Sequence, residues 1–311
     1  MENNLAPIVL FVYNRPLHTR KVLEALSKNV YADKSKLFIY ADGPKPKATE
    51  EQLLNMQKVR ALIREKKWCS EVFIIERDKN MGLSGSIVAG VTDIVNEFGK
   101  IIVIEDDVIT STGFLKFMNE ALTLYENEEQ VMHISGYMLP VKAKLQELFF
   151  VTLASSWGWG TWSRAWKYFN DDAKKLLDDI SASHRIDEFT FNNSIPFDGM
   201  LHQKASGMNE SWNTCWHTSI FLRNGFCLHP GNSMVRNIGH DGTGVHCKKV
   251  WWSDIYTRQA ITDNVHVSRI KLTESDEARK AVNTFFTFLY SPTLWVRIKE
   301  KLSLIMHSIT A

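Results

Sequence analysis

The chain has 311 residues, 44% hydrophobic and 23% charged, which suits one large domain or two closely packed ones and excludes a disordered chain. A formal charge of +2 is too small to act as a footprint for nucleic acid. The four cysteines, Cys69, Cys215, Cys227 and Cys247, form no CxxC pair, which predicts reduced thiols in a cytosolic protein and argues against a closed zinc site. The N-terminal stretch up to Pro16 lacks a basic start, and its short apolar run is broken at Asn14 and Arg15, so neither a signal peptide nor a membrane-spanning helix is predicted.

Pro7 to Tyr13 reads as a buried strand. It ends at Asn14-Arg15-Pro16, where Pro16 suits the first turn of a helix that turns Val22, Leu23 and Leu26 inward. Arg15 at this junction can hold an anion together with the helix N-terminus, or it is a surface arginine. Leu37 to Ala41 is a second strand, closed by Asp42-Gly43-Pro44-Lys45. Thr49-Glu50-Glu51-Gln52 has the capping-box pattern and predicts a helix to about Lys67 with Leu53, Val59, Leu62 and Ile63 inward. After a third strand, Val72 to Ile75, a polar turn from Arg77 to Gly85 opens a helix with a stripe at Ile87, Val91, Ile94, Val95 and Phe98. That turn is neither a Walker loop nor GxGxxG, but its backbone N–H groups can line a nucleotide cleft.

Ile101 to Ile104 then runs straight into Glu105-Asp106-Asp107. Such a uniform apolar run suits a strand buried on both faces. Acids cannot stay in that core unpaired, so they emerge at its carboxyl end, where open α/β sheets bind ligands. Adjacent carboxylates there invite a hard divalent cation, and the cation invites phosphates. The bland alternative is an acidic loop. Alternating strands and helices up to this point predict a doubly wound sheet.

Further along, Phe114 to Tyr125 reads as a helix and Gln130 to Gly136 as a strand and turn, and the run Phe149 to Leu153 precedes the most unusual segment of the chain. In the segment Ser155 to Trp166, glycines between tryptophans let the backbone turn and aim the indoles apart. Trp157-Gly158-Trp159 reads as a platform for a sugar face, and Trp162 and Trp166, at i and i+4, as core packing. Phe226 to Val235 is a strand with a turn, leading into a polar loop, Asn237 to Cys247, whose His, Asp and Cys are metal-ligand types. Ser275-Asp276-Glu277 starts a helix ending near Tyr290, and Ser291-Pro292 starts an amphipathic one. The latter sets Leu294, Trp295, Ile298, Leu302 and Ile305 against Arg297, Lys299 and Lys301, a face for packing, for dimerisation or for a membrane surface.

The order of Tyr13-Asn14-Arg15-Pro16, Asp42-Gly43, Asn80-Met81-Gly82 and Glu105-Asp106-Asp107 resembles the nucleotide-sugar glycosyltransferases of the GT-A fold. Within that fold it is most similar to the group around the β-1,2-N-acetylglucosaminyltransferase of N-glycan synthesis and to bacterial family 2-type enzymes of surface polysaccharide assembly. The resemblance implies an α/β, Rossmann-like fold whose mixed, mostly parallel central sheet is flanked by helices. It divides the chain into a catalytic domain over 1–270 (nucleotide-sugar half 1–110, acceptor half 111–270) and a helical C-terminal extension over 271–311.

By the same resemblance Asp107 ligates Mn2+ or Mg2+, Asp106 faces the ribose and Glu105 the donor sugar. Arg15, Asp42, Asn80 and Gly82 contact the nucleotide, with Asp42 accepting from the base, and Trp157, Gly158 and Trp159 line the sugar site. His246, with His240 behind it, is a second metal ligand or phosphate donor. Transfer with inversion needs a base for the acceptor hydroxyl. Glu210, two residues before Trp212, fits that place, although the resembled group carries Asp there; Asp198 is the alternative base. The implied activity is transfer from a UDP-sugar to a glycan or lipid-linked acceptor, by a cytoplasmic enzyme that can lie at the inner face of the membrane. The rival readings are a sugar nucleotidyltransferase, for which Asn14-Arg15-Pro16 lacks the glycine-rich basic signature, and an inactive carbohydrate-binding scaffold.

Overall fold

The computed structural model describes residues 4–242 and 253–290. The first half runs β1 (Ile8–Val12), α1 (Pro16–Leu26), β2 (Lys36–Ala41), α2 (Glu50–Leu62), β3 (Glu71–Glu76), α3 (Gly82–Phe98) and β4 (Lys100–Glu105). It continues with β5 (Val108–Thr110), α4 (Phe114–Leu124), β6 (Val131–Ser135), β7 (Leu148–Val151), β8 (Trp159–Trp162) and α5 (Ser163–Trp166). The helices α6 (Ala173–Ser183), α7 (Ile186–Phe189), α8 (Phe197–Ala205) and α9 (Trp212–Leu222) follow. The chain closes with β9 (Phe226–Pro230), β10 (Val235–Asn237), α10 (Ser253–Thr257) and α11 (Asp276–Tyr290). The expected amphipathic helix from Ser291 lies outside the described residues.

The fold is α/β. Among the described residues the central sheet has eight strands in the order β3-β2-β1-β4-β8-β6-β9-β7. Strands β3, β2, β1 and β4 are mutually parallel, β8 runs antiparallel between β4 and β6, and β9 is parallel to β6 and antiparallel to β7. The sheet is mixed and mostly parallel, with helices on both faces. Side chains alternate across it: Ile8, Leu10, Ile102 and Ile104 pack into one core, and Val9, Phe11, Ile101 and Val103 into the other. This two-sided burial is why β1 and the Ile101–Ile104 run of β4 are uniformly apolar. Helices α1, α2 and α4 cover the first face, and α3 lays Ile87, Val91, Ile94 and Val95 on the second.

Helix α2 carries the expected capping box at Thr49 and Gln52 but ends at Leu62. Its burial begins at Met56, one turn later than expected, and Leu53 is 40% exposed rather than inward. The cysteines Cys69, Cys215 and Cys227 are free and buried, and burial raises their thiol pKa values, to about 12 for Cys69 and Cys215. They serve as small core residues. No helix of the described residues is long and apolar enough to cross a membrane.

Candidate active site

Strands β2 and β4 flank β1 in parallel, so the segments following all three leave the sheet on one rim. The winding moves from β1 to β2 to β3, then returns to the other side of β1 with β4. The crevice at such a reversal is where open α/β sheets receive ligands. Arg15 stands on one side of it as the residue before Pro16 at the start of α1. Glu105 ends β4 on the other side, and Asp106 and Asp107 turn the chain into β5.

The sequence-predicted arginine and acids meet here. Arg15 Nη1 donates to Asp107 Oδ2 at 2.9 Å and lies 3.6 Å from Asp106 Oδ1. The chain's second half also reaches the crevice. Strand β10 pairs antiparallel with β5, placing Asn237 opposite Val108. The Asn237 amide then donates to Asp107 Oδ1 at 3.1 Å, and the Ile238 N–H donates to the Asp107 carbonyl at 2.8 Å. Gly239 passes so close that a Cβ there would lie 2.1 Å from Asp107 Oδ2 and 3.1 Å from Arg15 Nη2. Beyond it, Asp241 Oδ2 lies 3.1 Å from His18 Nε2.

The acids repel one another in a desolvated place. Burial first, then Asp107 and Asp106, push the Glu105 carboxyl well above its ordinary range. Burial, then Asp107, push Asp106 up to about 7, against the pull of Arg15 and of a hydrogen bond from the Tyr13 backbone. Burial works against the Arg15 charge, yet Asp106, Asp107 and Asp241 together raise its pKa. Burial and then Arg15 lower the pKa of His18, which favours a neutral imidazole. Carboxylates outnumber the single arginine, and their hard oxygens suit a divalent cation. Among the described residues no group of three or more His, Cys, Asp or Glu converges on one point. His246 lies outside the described residues.

Asp42 follows β2 on this rim and ties down the turn before α3. Its carboxylate accepts from the backbone N–H groups of Gly43 and Met81, both at 2.9 Å to Oδ1, and from the Asn80 amide at 3.0 Å to Oδ2. Met81 N–H also reaches Oδ2 at 3.2 Å. Three donors thus meet a carboxylate that has about four acceptor sites. The carboxylate holds the turn before α3, and one acceptor site remains for a further donor. Asn80 in turn accepts from the Gly82 N–H at 3.2 Å. Gly82 takes φ +73, a conformation that favours glycine. A Cβ on it would lie 3.3 Å from Glu210 Oε2, so the candidate base reaches the same rim from the far half of the chain. Glu210 is exposed and immediately precedes Ser211, whose hydroxyl caps α9 by accepting from Thr214 N–H. Asp198 lies half-buried in the first turn of α8.

The tryptophan segment divides differently from the expected grouping. Trp157 is half-buried, its ring meeting the edges of Tyr137, His240 and Tyr256 with centroids 4.6, 5.6 and 5.3 Å away. Trp159 is 0% exposed: it lies on strand β8, stacked on Trp212 at 5.2 Å and on His133 at 5.4 Å. Its expected place in a sugar platform is corrected to core packing, in one cluster with Trp166 and Trp216. Gly158, at φ +63, turns the chain between the two roles. His240 packs its ring on Tyr256 at 5.0 Å.

Sequence reasoning missed His18, Asn237, Gly239 and Asp241. His18 stands three residues after Arg15 at the start of a helix, and that spacing places both on one side of α1. The other three belong to the loop already marked as polar, but their target depends on the β10–β5 pairing.

No family model and no curated protein matches the chain. Among solved structures, the mannosyltransferase PcManGT from Pyrobaculum calidifontis, in complex with GDP-Man and Mn2+, aligns at 9% identity and a TM-score of 0.41 over 70% of this chain and 69% of that one. TarS of S. aureus aligns at 14% identity and a TM-score of 0.34, over 56% of this chain and only 29% of that one. At these scores neither likeness bears on what this chain does.

Proposed function

We propose that the chain is a GT-A-type glycosyltransferase that moves a sugar from a nucleoside-diphosphate donor, of which a UDP-sugar is our choice, to a hydroxyl of a glycan or lipid-linked acceptor. The reading is supported above all by one rim that carries Arg15 against Asp106 and Asp107 at the point where the winding reverses. On the same rim the Asn80–Gly82 turn lies beside Glu210.

In this reading Arg15 holds the diphosphate by charge-assisted hydrogen bonds. Asp107, with Asp106 beside it, would hold a divalent ion, which supplies positive charge against the leaving diphosphate. Gly82 and Asn80 keep the α3 turn open for the donor, and Trp157 offers the half-exposed edge of an indole to the sugar. Glu210 takes the proton of the acceptor hydroxyl as its oxygen attacks the anomeric carbon. The bond to the nucleoside diphosphate breaks on the opposite face, which inverts the configuration. Residues 1–110 thus serve the donor and 111–270 the acceptor, with the C-terminal extension packing on the domain, on a second copy or on a membrane surface.

Glu210→Gln tests the assignment. It keeps the shape and removes the base, so donor binding should persist while transfer falls by about 100-fold or more. Transfer at the parental rate would move the base to Asp198. A chain that binds nucleotide sugars with Mn2+ but never turns them over with any acceptor would instead be a binding scaffold.

A further inference from the structure

His18 and Asp241 take no part in the mechanism above, yet they meet beside its arginine. Arg15 and His18 stand one turn apart at the start of α1 and are fixed by burial, with side chains 13% and 14% exposed. Asp241 approaches from the loop beyond β10 and is 41% exposed. Its Oδ2 lies 3.1 Å from His18 Nε2, but its Oδ1 comes no nearer than 3.9 Å to Arg15 Nη2. Arg15 Nε and Nη2 are buried without a hydrogen-bond partner among the described residues. A buried donor left unmet costs about 1–3 kcal/mol. The arginine therefore has a fork only half answered by the carboxylate in front of it. A groove of about 1050 Å3, bordered by Asn14, His18, Gln52, Asn55 and Asp241, opens this place to solvent.

We propose that Arg15 and His18 form a binding subsite for a diphosphate oxyanion, and that Asp241 fills it as an internal substitute until the diphosphate displaces it. A phosphate group presents several oxygens in a tetrahedral array, enough to meet both ends of the guanidinium and the imidazole together. A single carboxylate, reaching in from an exposed loop, does not. Displacing Asp241 need not disturb the metal-motif carboxylate, because Asn237, at the anchored end of the loop, holds Asp107 independently. The nature of the ligand as a sugar donor rests on the glycosyltransferase reading; the existence of the subsite does not.

The test uses inorganic pyrophosphate, in EDTA and at fixed salt, titrated calorimetrically into the full chain. If Asp241 occupies the subsite most of the time, apparent affinity is reduced by the open fraction. Asp241→Asn should then tighten pyrophosphate binding by about five- to tenfold. His18→Gln should weaken it by about tenfold. Glu51→Gln, which removes one negative charge from the same groove, should change it less than about twofold. The His18 Nε2 resonance should shift when pyrophosphate is added to the parent and to Asp241→Asn. Unchanged or weaker binding by Asp241→Asn, an equal gain from Glu51→Gln, an unmoved His18 signal, or no binding by any of these chains would overturn the proposal.

The glycosyltransferase reading is tested separately, with nucleotide sugars and Mn2+. If the pyrophosphate results hold and no nucleotide sugar binds, the oxyanion subsite stands and the donor assignment falls. Turnover of a nucleotide sugar with the pyrophosphate results failing leaves the enzyme standing and overturns the subsite.

Discussion

Asp42→Ala isolates the residue that ties down the turn before α3. The substitution removes the acceptor for Gly43 N–H, Met81 N–H and the Asn80 amide, all held between 2.9 and 3.0 Å. Asp42 is only 9% exposed, so water replaces the lost oxygens poorly. Taking the lower end, about 1 kcal/mol, for each of these donors gives a total loss of about 3 kcal/mol, since the Asn80 amide keeps the Gly43 carbonyl as a second acceptor. Asp42→Asn retains one oxygen for the backbone donors and should lose about 1–2 kcal/mol. Urea unfolding measures this as a lowered midpoint at constant slope. The same change frees the turn that carries Gly82 to Glu210, so transfer should fall further than donor affinity. An Asp42→Ala chain with the parental midpoint would refute the reasoning. If that chain also lost nucleotide binding alone, the base contact expected from the sequence would be restored.

Asp107→Ala should abolish Mn2+-dependent binding of nucleoside diphosphate, and Mn2+ should raise the melting temperature of the parent at pH 8 but not of this variant. Calorimetry and a thermal shift read the two effects, and undiminished binding removes Asp107 from the metal role. Asp106 sits at about 7 in the folded chain against an ordinary 3.8, so between those values the folded chain keeps a proton that the unfolded chain has released. Stability from this group is therefore lost as pH rises through that window, and Asp106→Asn should stabilise the chain at pH 8 by on the order of 2 kcal/mol while changing little at pH 4. Equal effects at both pH values in urea unfolding would contradict the charge repulsion. In Gly239→Ala the new methyl meets Asp107 Oδ2 at 2.1 Å and must push apart the Arg15–Asp107 pair. Donor affinity should fall about tenfold with a stability loss of about 1–3 kcal/mol, and parental affinity in a binding titration would show that the loop yields instead.

Much of the chain's first half could be read directly because its signals are local. The apolar runs of β1 and β4 announce two-sided burial, the capping box at Thr49 starts α2, and acids at the end of such a run have only one direction to go. Even the pairing of Arg15 with Asp107 follows once both are placed on one rim. The tryptophan segment behaves otherwise. Its glycines suggest a turn, but Gly160 is needed inside strand β8, where a Cβ would lie 2.8 Å from the Ile101 carbonyl. Trp159 on that strand is covered by Trp212, which arrives from a distant helix, so no local pattern could separate it from Trp157.

The acids of the rim teach the same lesson in reverse. Their presence can be read from the chain, but the division of labour among them cannot, because it depends on which donors other segments deliver. Asp42 takes donors from Asn80 and Met81, which the parallel pairing of β2 with β3 brings alongside. Asp107 gained Asn237 only through the short β10–β5 ladder. Asp241 reached His18 by the same route. A carboxylate's type and position set what it can do; the long-range pairing that supplies or withholds its partners sets what remains free for a ligand. By that measure Asp106 and Asp107 share the single charge of Arg15, whereas Asp42 is held by three donors of the turn it closes.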